Sequence, residues 1–550
     1  CTVKNYLYSF LYITSGTNKV SVKNVTVEDC SNYAVYFASG VNSATIENLT
    51  VKNSDNGFVI NNTANRALTL KNCKLENVGT AVADANGTNT ITCTLLGNEN
   101  DFGTSATSQY AKYVLAAEDA TLAAKEGLNV TTSVAEYVVV YENAKYQLKP
   151  AVASITADDN TKTYYETLAG AVEAATAGQT VNLLADATGA GLKINKDVTI
   201  DFGGFTYTIN QAVGSTGTES QGFQLLKNNT VTLKNGTIDI VAGTNVKWMF
   251  NAYADVTLEN LNVNCANMAA PAENEANYVL VVNNGGSATP TVTYTNVIVT
   301  NFPSTATAQI WLDPTTTLKA GEGLESSIET EEGYVVVYNN GEYTAIGAVA
   351  KIGEAIYPSV AAAVAAAQAG DVIELLVNVT EDVTVNKSVI IDGANFQYTG
   401  NISVSGNTTA ITVKNVNFVN GTGYAITTNR IKSVTVENCT VTNYGYGFLY
   451  ANKSTPTVVV KNVTVEGGNY GFHWVYGTTA TLENVTMTNV TYGLYIQNYA
   501  GKAINVKNST ISSIAIWERS GSSGVQTFNF EGANTVGTLT SSQYAKYVLA

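Results

Sequence analysis

Apolar residues recur at fixed distances from a repeated asparagine. In VKNVTV, residues 22–27, apolar side chains stand two positions before Asn24 and one and three positions after it. The pattern returns about every 22–25 residues wherever copies are adjacent, which is typical of a solenoid whose turns bury their apolar face only by stacking. The marker asparagines are Asn24, Asn48, Asn72, Asn415, Asn438, Asn462, Asn484 and Asn508, with weaker copies at Asn235, Asn260 and Asn296.

The spacing around the marker predicts its backbone conformation. Positions +1 and +3 follow the two-residue period of a strand, but the step from −2 to +1 would place side chains on opposite faces. One residue in the left-handed region restores the same face, and asparagine tolerates that region better than other non-glycine residues. We therefore predict that these eight asparagines are structural bends between two strands that both point inward.

A third strand is predicted in several turns. Glycines stand nine residues after the marker and precede apolar stretches such as GFVI and GFHW; they are Gly57, Gly447, Gly471 and Gly493. Three short strands per turn predict an all-β fold of tandem right-handed parallel β-helices, with rungs about 4.8 Å apart.

Two further segments recur and suggest caps and connectors. YETLAGAVEAATAG, which begins at Tyr165, and YPSVAAAVAAAQAG, which begins at Tyr357, predict short amphipathic helices. Thr167 and Ser359 would be N-caps, and Gly178 and Gly370 would end the helices. The predicted order is the C-terminal part of a β-helix (1–106), a connector (107–150), a capped shorter β-helix (151–304), a connector (305–347), a capped longer β-helix (348–540) and the start of a connector (541–550).

The two ends of the chain repeat internal segments. CTVKNYLYSFLY, which begins at Cys1, is similar to CTVTNYGYGFLY, which begins at Cys439, and the segment from Ser108 to Ala116 is identical to the last nine residues. We therefore expect the sequence to be a window from a longer tandem array.

Charge is sparse and acidic. Only 13% of residues are charged, against about 25% in typical soluble proteins. The net charge of −15 and the isoelectric point near 4.7 argue against nucleic acid or an anionic membrane as a partner. An apolar run of about 18 residues, which a membrane-spanning helix needs, is not found.

The chain resembles a known group of proteins. The segment from Val349 to Gly393 is similar to segments that open successive repeats in large surface proteins of Gram-positive anaerobes, and the whole chain resembles the pectate-lyase-like right-handed β-helices. This resemblance implies the β-helix fold and a location outside the cell, on a bacterial surface. It implies no particular activity, because enzymes, adhesins and passive stalks share the fold.

The residues that could support catalysis are few. The three arginines, Arg66, Arg430 and Arg519, have no dense carboxylate cluster beside them. Residues 430–432 spell the RIK element of polygalacturonases, but the NTD and GHG motifs of that family are missing. His473 is the only histidine, which excludes a two-histidine metal site. We predict no enzyme activity, no cofactor and no metal, and a turn between rungs at Arg430.

Aromatic residues offer a different chemistry. His473 lies in YGFHWVYG, and a strip of exposed rings could contact sugar rings. The candidate glycan contacts are Trp474, Tyr476, Tyr492 and Tyr495. The six cysteines are predicted to be thiols in apolar positions rather than disulfides.

The sequence thus predicts a non-enzymatic structural segment of an extracellular stalk or filament, whose partners are neighbouring modules or copies of the same protein. A glycan- or host-binding adhesin is the alternative. A polysaccharide lyase or hydrolase, with three or more acidic residues in a groove near Arg430, is the third hypothesis.

Overall fold

A computed structural model gives the fold of the 550-residue chain. It describes all residues except 14–18, 38–40, 42, 62–66, 88–89, 104–110, 158, 272–275, 286–288, 304–307, 453–456, 475–478, 498–502, 518–524, 540–543 and 550. The chain divides into two compact units, one of residues 1–311 and 317–321 and the other of residues 312–316 and 322–550. Among the described residues, no helix has the length and apolar character that a membrane span requires.

The first module and its connector consist of short strands. They are β1 Thr2–Lys4, β2 Leu11–Ile13, β3 Lys19–Glu28, β4 Tyr33–Phe37, β5 Ser43–Ile60, β6 Ala67–Lys71, β7 Lys74–Asp84, β8 Ile91–Leu96, β9 Asn100–Gly103, β10 Ala111–Leu115, β11 Leu122–Ala124, β12 Val130–Thr132, β13 Tyr137–Glu142 and β14 Lys145–Pro150. Strands of successive turns pair in parallel, as in β3 with β5 and β5 with β7.

The second module opens with a hairpin and a helix. Its elements are β15 Ala153–Thr156, β16 Lys162–Tyr165, α1 Leu168–Ala174, β17 Gln179–Leu183, β18 Ala187–Ala190, β19 Leu192–Ile194, β20 Val198–Asp201, β21 Thr206–Gln211, β22 Gln221–Leu225, β23 Thr230–Ile240, β24 Trp248–Ala252, β25 Asp255–Asn264, β26 Tyr278–Val282, β27 Thr291–Thr300, β28 Ile310–Leu312 and β29 Thr317–Lys319. The turns again pair in parallel, as in β23 with β25 and β25 with β27.

The second connector precedes the third module. It comprises the 3₁₀ helix Glu325–Ser327, β30 Ile328–Glu329, β31 Tyr334–Asn339 and β32 Glu342–Gly347. The third module comprises β33 Ala350–Ile352, β34 Ala355–Tyr357, α2 Val360–Ala366, β35 Val372–Leu375, β36 Val379–Thr380, β37 Val383–Val385, β38 Ile390–Asp392, β39 Gln397–Thr399, β40 Ile402–Ser405, β41 Ala410–Lys414, β42 Asn417–Val419, β43 Tyr424–Asn429, β44 Ser433–Glu437, β45 Thr440–Thr442, β46 Gly447–Asn452, β47 Thr457–Glu466, β48 Tyr470–Trp474, β49 Thr479–Thr488, β50 Tyr492–Gln497, β51 Ala503–Lys507, β52 Thr510–Trp517, β53 Gln526–Glu531, β54 Thr535–Leu539 and β55 Ala545–Leu549.

The marker asparagines have the predicted left-handed geometry. All eight have a positive φ, from 48° at Asn508 to 55° at Asn484. In the turn around Asn24, Val22, Val25 and Val27 are all buried, so the parity change places positions −2, +1 and +3 inside. The strand is continuous through this corner, since β3 spans Lys19–Glu28, whereas two separate strands were predicted. Parallel pairing on both sides of the asparagine holds the strand together there.

The marker side chains bond to one another along the stack. In the third module four of the marker amide nitrogens donate to the side-chain oxygen one turn below: Asn415 to Asp392 (2.9 Å), Asn438 to Asn415 (3.3 Å), Asn462 to Asn438 (3.0 Å) and Asn484 to Asn462 (3.0 Å). In the first module Asn48 donates to Asn24 over 2.8 Å. The marker asparagine thus has two roles: its backbone forms the left-handed bend, and its side chain links adjacent rungs.

A second left-handed corner follows five residues later, and the sequence analysis did not predict it. Its residues are Asp29, Asn53, Asn77, Asn301, Asn420, Asn443, Gly467 and Asn489. Asn53 donates to Asp29 and Asn77 donates to Asn53, each over 2.9 Å, which makes a second ladder. The signal was present in the sequence as Asn, Asp or Gly at position +5.

Charges alternate along the column that precedes the marker. In the third module, Lys414, Glu437, Lys461, Glu483, Lys507 and Glu531 occupy successive turns. Lys461 lies 3.7 Å from Glu483, and Lys507 lies 2.9 Å from Glu531. Each exposed pair contributes little stability. A strand paired with the wrong turn would place like charges together, so the alternation favours the native register.

The two helices cap their modules in the same way. Thr167 and Ser359 accept N-cap hydrogen bonds at 3.0 Å, as predicted. The helices end at Ala174 and Ala366, before Gly178 and Gly370, so the predicted ends were wrong. A lysine from the following rung supplies the reason: Lys196 donates to the carbonyls of Glu173 and Ala175, and Lys387 to those of Ala365 and Ala367, which satisfies the final turn.

The cysteines are free, as predicted. All except Cys1 are buried in apolar positions. Burial raises the pKa of Cys73 to about 11 and that of Cys439 to about 12, so both remain protonated thiols.

Replacement of Asn462 tests the corner and its ladder separately. We expect Asn462→Ala to lower the free energy of unfolding by about 2–4 kcal/mol, because it combines left-handed strain with two lost side-chain hydrogen bonds. Asn462→Gly should lose about half as much, because glycine relieves only the strain. Urea unfolding measures both variants, with the exposed Asn469→Ala as control. Equal losses for alanine and glycine would contradict the assigned backbone role.

Candidate functional site

A cluster of seven aromatic side chains lies on the third strands of the third module. Its members, which we call the tyrosine strip, are Tyr424, Tyr446, Tyr450, Tyr470, His473, Tyr492 and Tyr495. Parallel register builds most of it: Tyr450, His473 and Tyr495 occupy one column on successive turns, and Tyr470 and Tyr492 occupy a neighbouring one. None of the seven is fully buried, and Tyr446 and Tyr492 are 57% and 38% exposed. The turns thus leave part of these rings exposed to solvent.

The rings of the strip contact one another closely. Tyr424 and Tyr450 stack with centroids 5.0 Å apart, and Tyr470 stacks on Tyr492 at 5.5 Å. His473 lies 4.8 Å from Tyr470. Centroid distances of about 4.5–7 Å are those of favourable aromatic pairs. The rings of the strip therefore pack against one another without a ligand.

Three glycines allow the strip to form. Gly447 lies between Tyr424 and Tyr470 in their column. A side chain there would clash with the carbonyl oxygen of Tyr470, and the φ of 148° at Gly447 is one that other residues rarely adopt. A Cβ on Gly471 would lie 2.5 Å from the Gly493 carbonyl oxygen, and one on Gly493 would lie 2.8 Å from that of Ser513. The predicted third-strand glycines are thus positions where adjacent turns approach too closely for Cβ.

His473 is held in the strip as a neutral base. The hydroxyl of Tyr424 lies 2.8 Å from His473 Nδ1, two turns away along the stack. Burial lowers the pKa of His473 to about 4. Burial also raises the pKa of Tyr424, and the neighbouring tyrosines Tyr470, Tyr450 and Tyr446 add to the effect. Near neutral pH both groups are uncharged, so the strip offers apolar faces and hydroxyl groups rather than charge.

The predicted glycan contacts fall in different places. Tyr492 and Tyr495 belong to the strip, 5.3 Å apart. Trp474 was wrongly assigned to the surface: it is 2% exposed and stacks on Phe472, because alternation along β48 turns it inward when His473 points outward. Tyr476 lies outside the described residues. The sequence analysis missed Tyr424, Tyr446, Tyr450 and Tyr470; the spacing of three residues between Tyr470 and His473, as between Tyr492 and Tyr495, was the signal for Tyr470.

The first module carries a similar arrangement. Tyr12 pairs with Tyr36 on adjacent turns as Tyr450 pairs with His473. The rings of Tyr12 and Tyr36 stack at 4.7 Å with an interplanar angle of 8°, and Tyr33 lies 5.3 Å from Tyr36. A tyrosine therefore stands where the third module has its histidine. The aromatic surface belongs to the repeat rather than to one module.

The candidate catalytic arginine lies in a turn. Arg430 is exposed with a φ of 54°, between β43 and β44, and Ile431 beside it is 1% exposed in the core. Groups of three or more His, Cys, Asp or Glu side chains suited to a metal are not found among the described residues. Arg66 and Arg519 lie outside the described residues.

Comparison with known proteins agrees with the fold. Residues 9–144 match the family described as the right-handed β-helix region. This match agrees with the parallel turns and stacked inner columns, which have the architecture of a right-handed parallel β-helix. Curated protein sequences give no match.

A solved structure, the PL6 family alginate lyase AlyGC, aligns over 100% of this chain and 95% of that one. The sequence identity is 9% and the TM-score is 0.24. At so low a TM-score, the fold assignment does not rest on this likeness.

The half-buried His473 predicts a pH effect on stability. Its pKa is about 4 when folded and about 6.5 when unfolded, so between these values the unfolded chain binds more protons. Its contribution is therefore fully present above pH 6.5 and is lost as the pH falls toward 4. We expect the melting temperature, measured by calorimetry, to fall less between pH 7.0 and pH 5.5 in His473→Tyr than in the wild type. Tyrosine is chosen because Tyr36 holds the equivalent position in the first module. An equal decrease in both proteins would contradict a buried neutral histidine.

Proposed function

We propose that this chain is a non-enzymatic structural segment of an extracellular stalk or filament on a bacterial surface. Its immediate partners are neighbouring modules and further copies of the same protein in a fibre. The mechanical element is the stacked turn, which combines an apolar inner column with backbone pairing to the turns on either side.

One observation carries the proposal: the same strand recurs at the start of the connectors that follow the first and third modules. The sequence AKYVL forms β10 at Ala111–Leu115 and β55 at Ala545–Leu549. β10 pairs in parallel with β8, starting from Ala111 opposite Ile91, and β55 pairs with β53, starting from Ala545 opposite Gln526. A connector strand reused with the same pairing supports serial joining of modules.

The connectors and caps also support serial joining. Each connector contains an antiparallel hairpin, β13–β14 in one and β31–β32 in the other. In both, a tyrosine hydroxyl accepts a backbone hydrogen bond over 2.9 Å: Tyr146 from Leu128 and Tyr343 from Leu324. The capped helices α1 and α2 then open the following modules. Covering each sheet end in this way limits uncontrolled edge pairing.

Immunoelectron microscopy of cells that make the parent protein tests the stalk directly. Antibodies against this chain should label thread-like structures outside the cell at regular intervals, because the epitopes recur with the modules. Pre-immune serum is the control. Label confined to the cell interior, or to a soluble protein without threads, would contradict the proposal.

Glycan binding is a second candidate function, and the tyrosine strip favours it. Aromatic faces suit sugar rings, and tyrosine hydroxyls can bond to sugar hydroxyls. The pair Tyr12–Tyr36 in the first module matches the pair Tyr450–His473 in the third, so the surface would be repeated along a chain. Repetition raises avidity for a polymeric ligand.

A glycan array tests this second function. We expect binding by the wild-type chain to fall about tenfold in the double variant Tyr450→Ala with Tyr492→Ala, because two ring faces are lost. Tyr164→Ala, on β16 of the second module, is the matched control and should bind as the wild type does. An unchanged signal for the double variant would contradict a role for the strip.

A further inference from the structure

The second module contains a groove on the outer side of its third strands. Its volume is about 740 Å³. The side chains that decide its chemistry are Gln221, Asn245, Lys247, Trp248, Tyr278 and Trp311. Gln221, Trp248 and Tyr278 occupy one column on successive turns. The column starts β22, β24 and β26, as Tyr470 and Tyr492 start β48 and β50 in the third module.

Longer turns build the groove. Asn260 and Asn296 are adjacent ladder residues separated by 36 positions, whereas Asn24 and Asn48 are separated by 24. Part of the additional chain, including Ala276, lines the groove. All five residues of both β22 and β26 are buried, unlike those of β48, where Tyr470 and His473 stay partly exposed. The surface that forms an open strip in the third module is recessed here.

Aromatic rings form the apolar part of the groove. The indole nitrogen of Trp248 donates to the Ala276 carbonyl over 3.1 Å, which fixes the orientation of that ring. Tyr278 and Trp311 lie 5.8 Å apart at an angle of 57°. The two partly exposed indole rings supply flat apolar surfaces that suit a pyranose ring.

Four buried side-chain acceptors in and around the groove have no donor among the described residues. The Oε1 atom of Gln221, a residue only 6% exposed, has no hydrogen-bond partner among the described residues. The buried side-chain amide oxygens of Gln224 on β22, Asn251 on β24 and Asn277 also have no hydrogen-bond partner among the described residues. A buried unpaired acceptor is destabilising, because folding removes its water partner and supplies no other. Gln221 lines the groove, so a ligand there that donates hydrogen bonds would remove this cost.

We propose that this groove binds a neutral oligosaccharide. Pyranose rings offer apolar C–H faces for the indoles and hydroxyl donors for the carbonyl oxygen of Gln221. The inference does not rest on the stalk, and it concerns a module other than the one that carries the tyrosine strip.

Titration with neutral hexasaccharides of glucose, mannose and N-acetylglucosamine tests the proposal. Tryptophan fluorescence should respond to at least one of them, because Trp248 and Trp311 line the groove, and calorimetry should give the affinity. Trp248→Ala should weaken binding about tenfold or more, and Trp248→Phe, which keeps a ring, should weaken it less.

Gln221→Met distinguishes an effect on ligand affinity from an effect on the stability of the fold. It removes the unpaired carbonyl oxygen at similar volume, so the melting temperature should stay the same or rise while the affinity falls about fivefold. Tyr164→Ala, on β16 and outside the groove lining, should leave groove binding unchanged. Three results would each overturn the proposal: no response to any neutral hexasaccharide, a response only to oligogalacturonate, or wild-type affinity in both Trp248→Ala and Gln221→Met.

Discussion

The left-handed asparagine corner is the constraint on which the structure depends. Without it, the residues two positions before and one position after the marker would face opposite sides of the strand. With a φ near 50–55° at the corner, both enter the interior and meet their counterparts one turn above and below. Every inner column therefore depends on a residue that tolerates this conformation, and asparagine also bonds to the next asparagine along the stack.

The same constraint leaves the outer surface free to differ between modules. Inner positions are fixed by packing against adjacent turns, and corner positions are fixed by backbone geometry. Outward-facing positions on the third strands are restricted neither by core packing nor by the corner geometry. The first and third modules place stacked rings there, with Tyr36 in one and His473 in the other. The second module has longer turns and forms a groove around Trp248. One scaffold thus carries related but chemically distinct surfaces.

The sequence predicted the repetitive part of the structure well, because periodicity reports what every turn shares. The corners, the inward columns and the helix N-caps at Thr167 and Ser359 follow from local patterns. Features set by contacts between turns were harder to predict. Trp474 points inward because of the parity of its strand, and the helices end early because Lys196 and Lys387 reach them from the next rung. The tyrosine strip needs register across several turns, and the groove needs loops whose path no short pattern specifies.

A crystal structure of the chain at a resolution that defines backbone dihedral angles is the most direct measurement of the central claim. The account predicts φ values close to 54° at Asn438, 53° at Asn462 and 55° at Asn484. It also predicts amide-to-amide hydrogen bonds of about 3.0 Å that link Asn484 to Asn462 and Asn462 to Asn438. Extended geometry at these asparagines, with Val460 and Val463 on opposite sides of the strand, would contradict it.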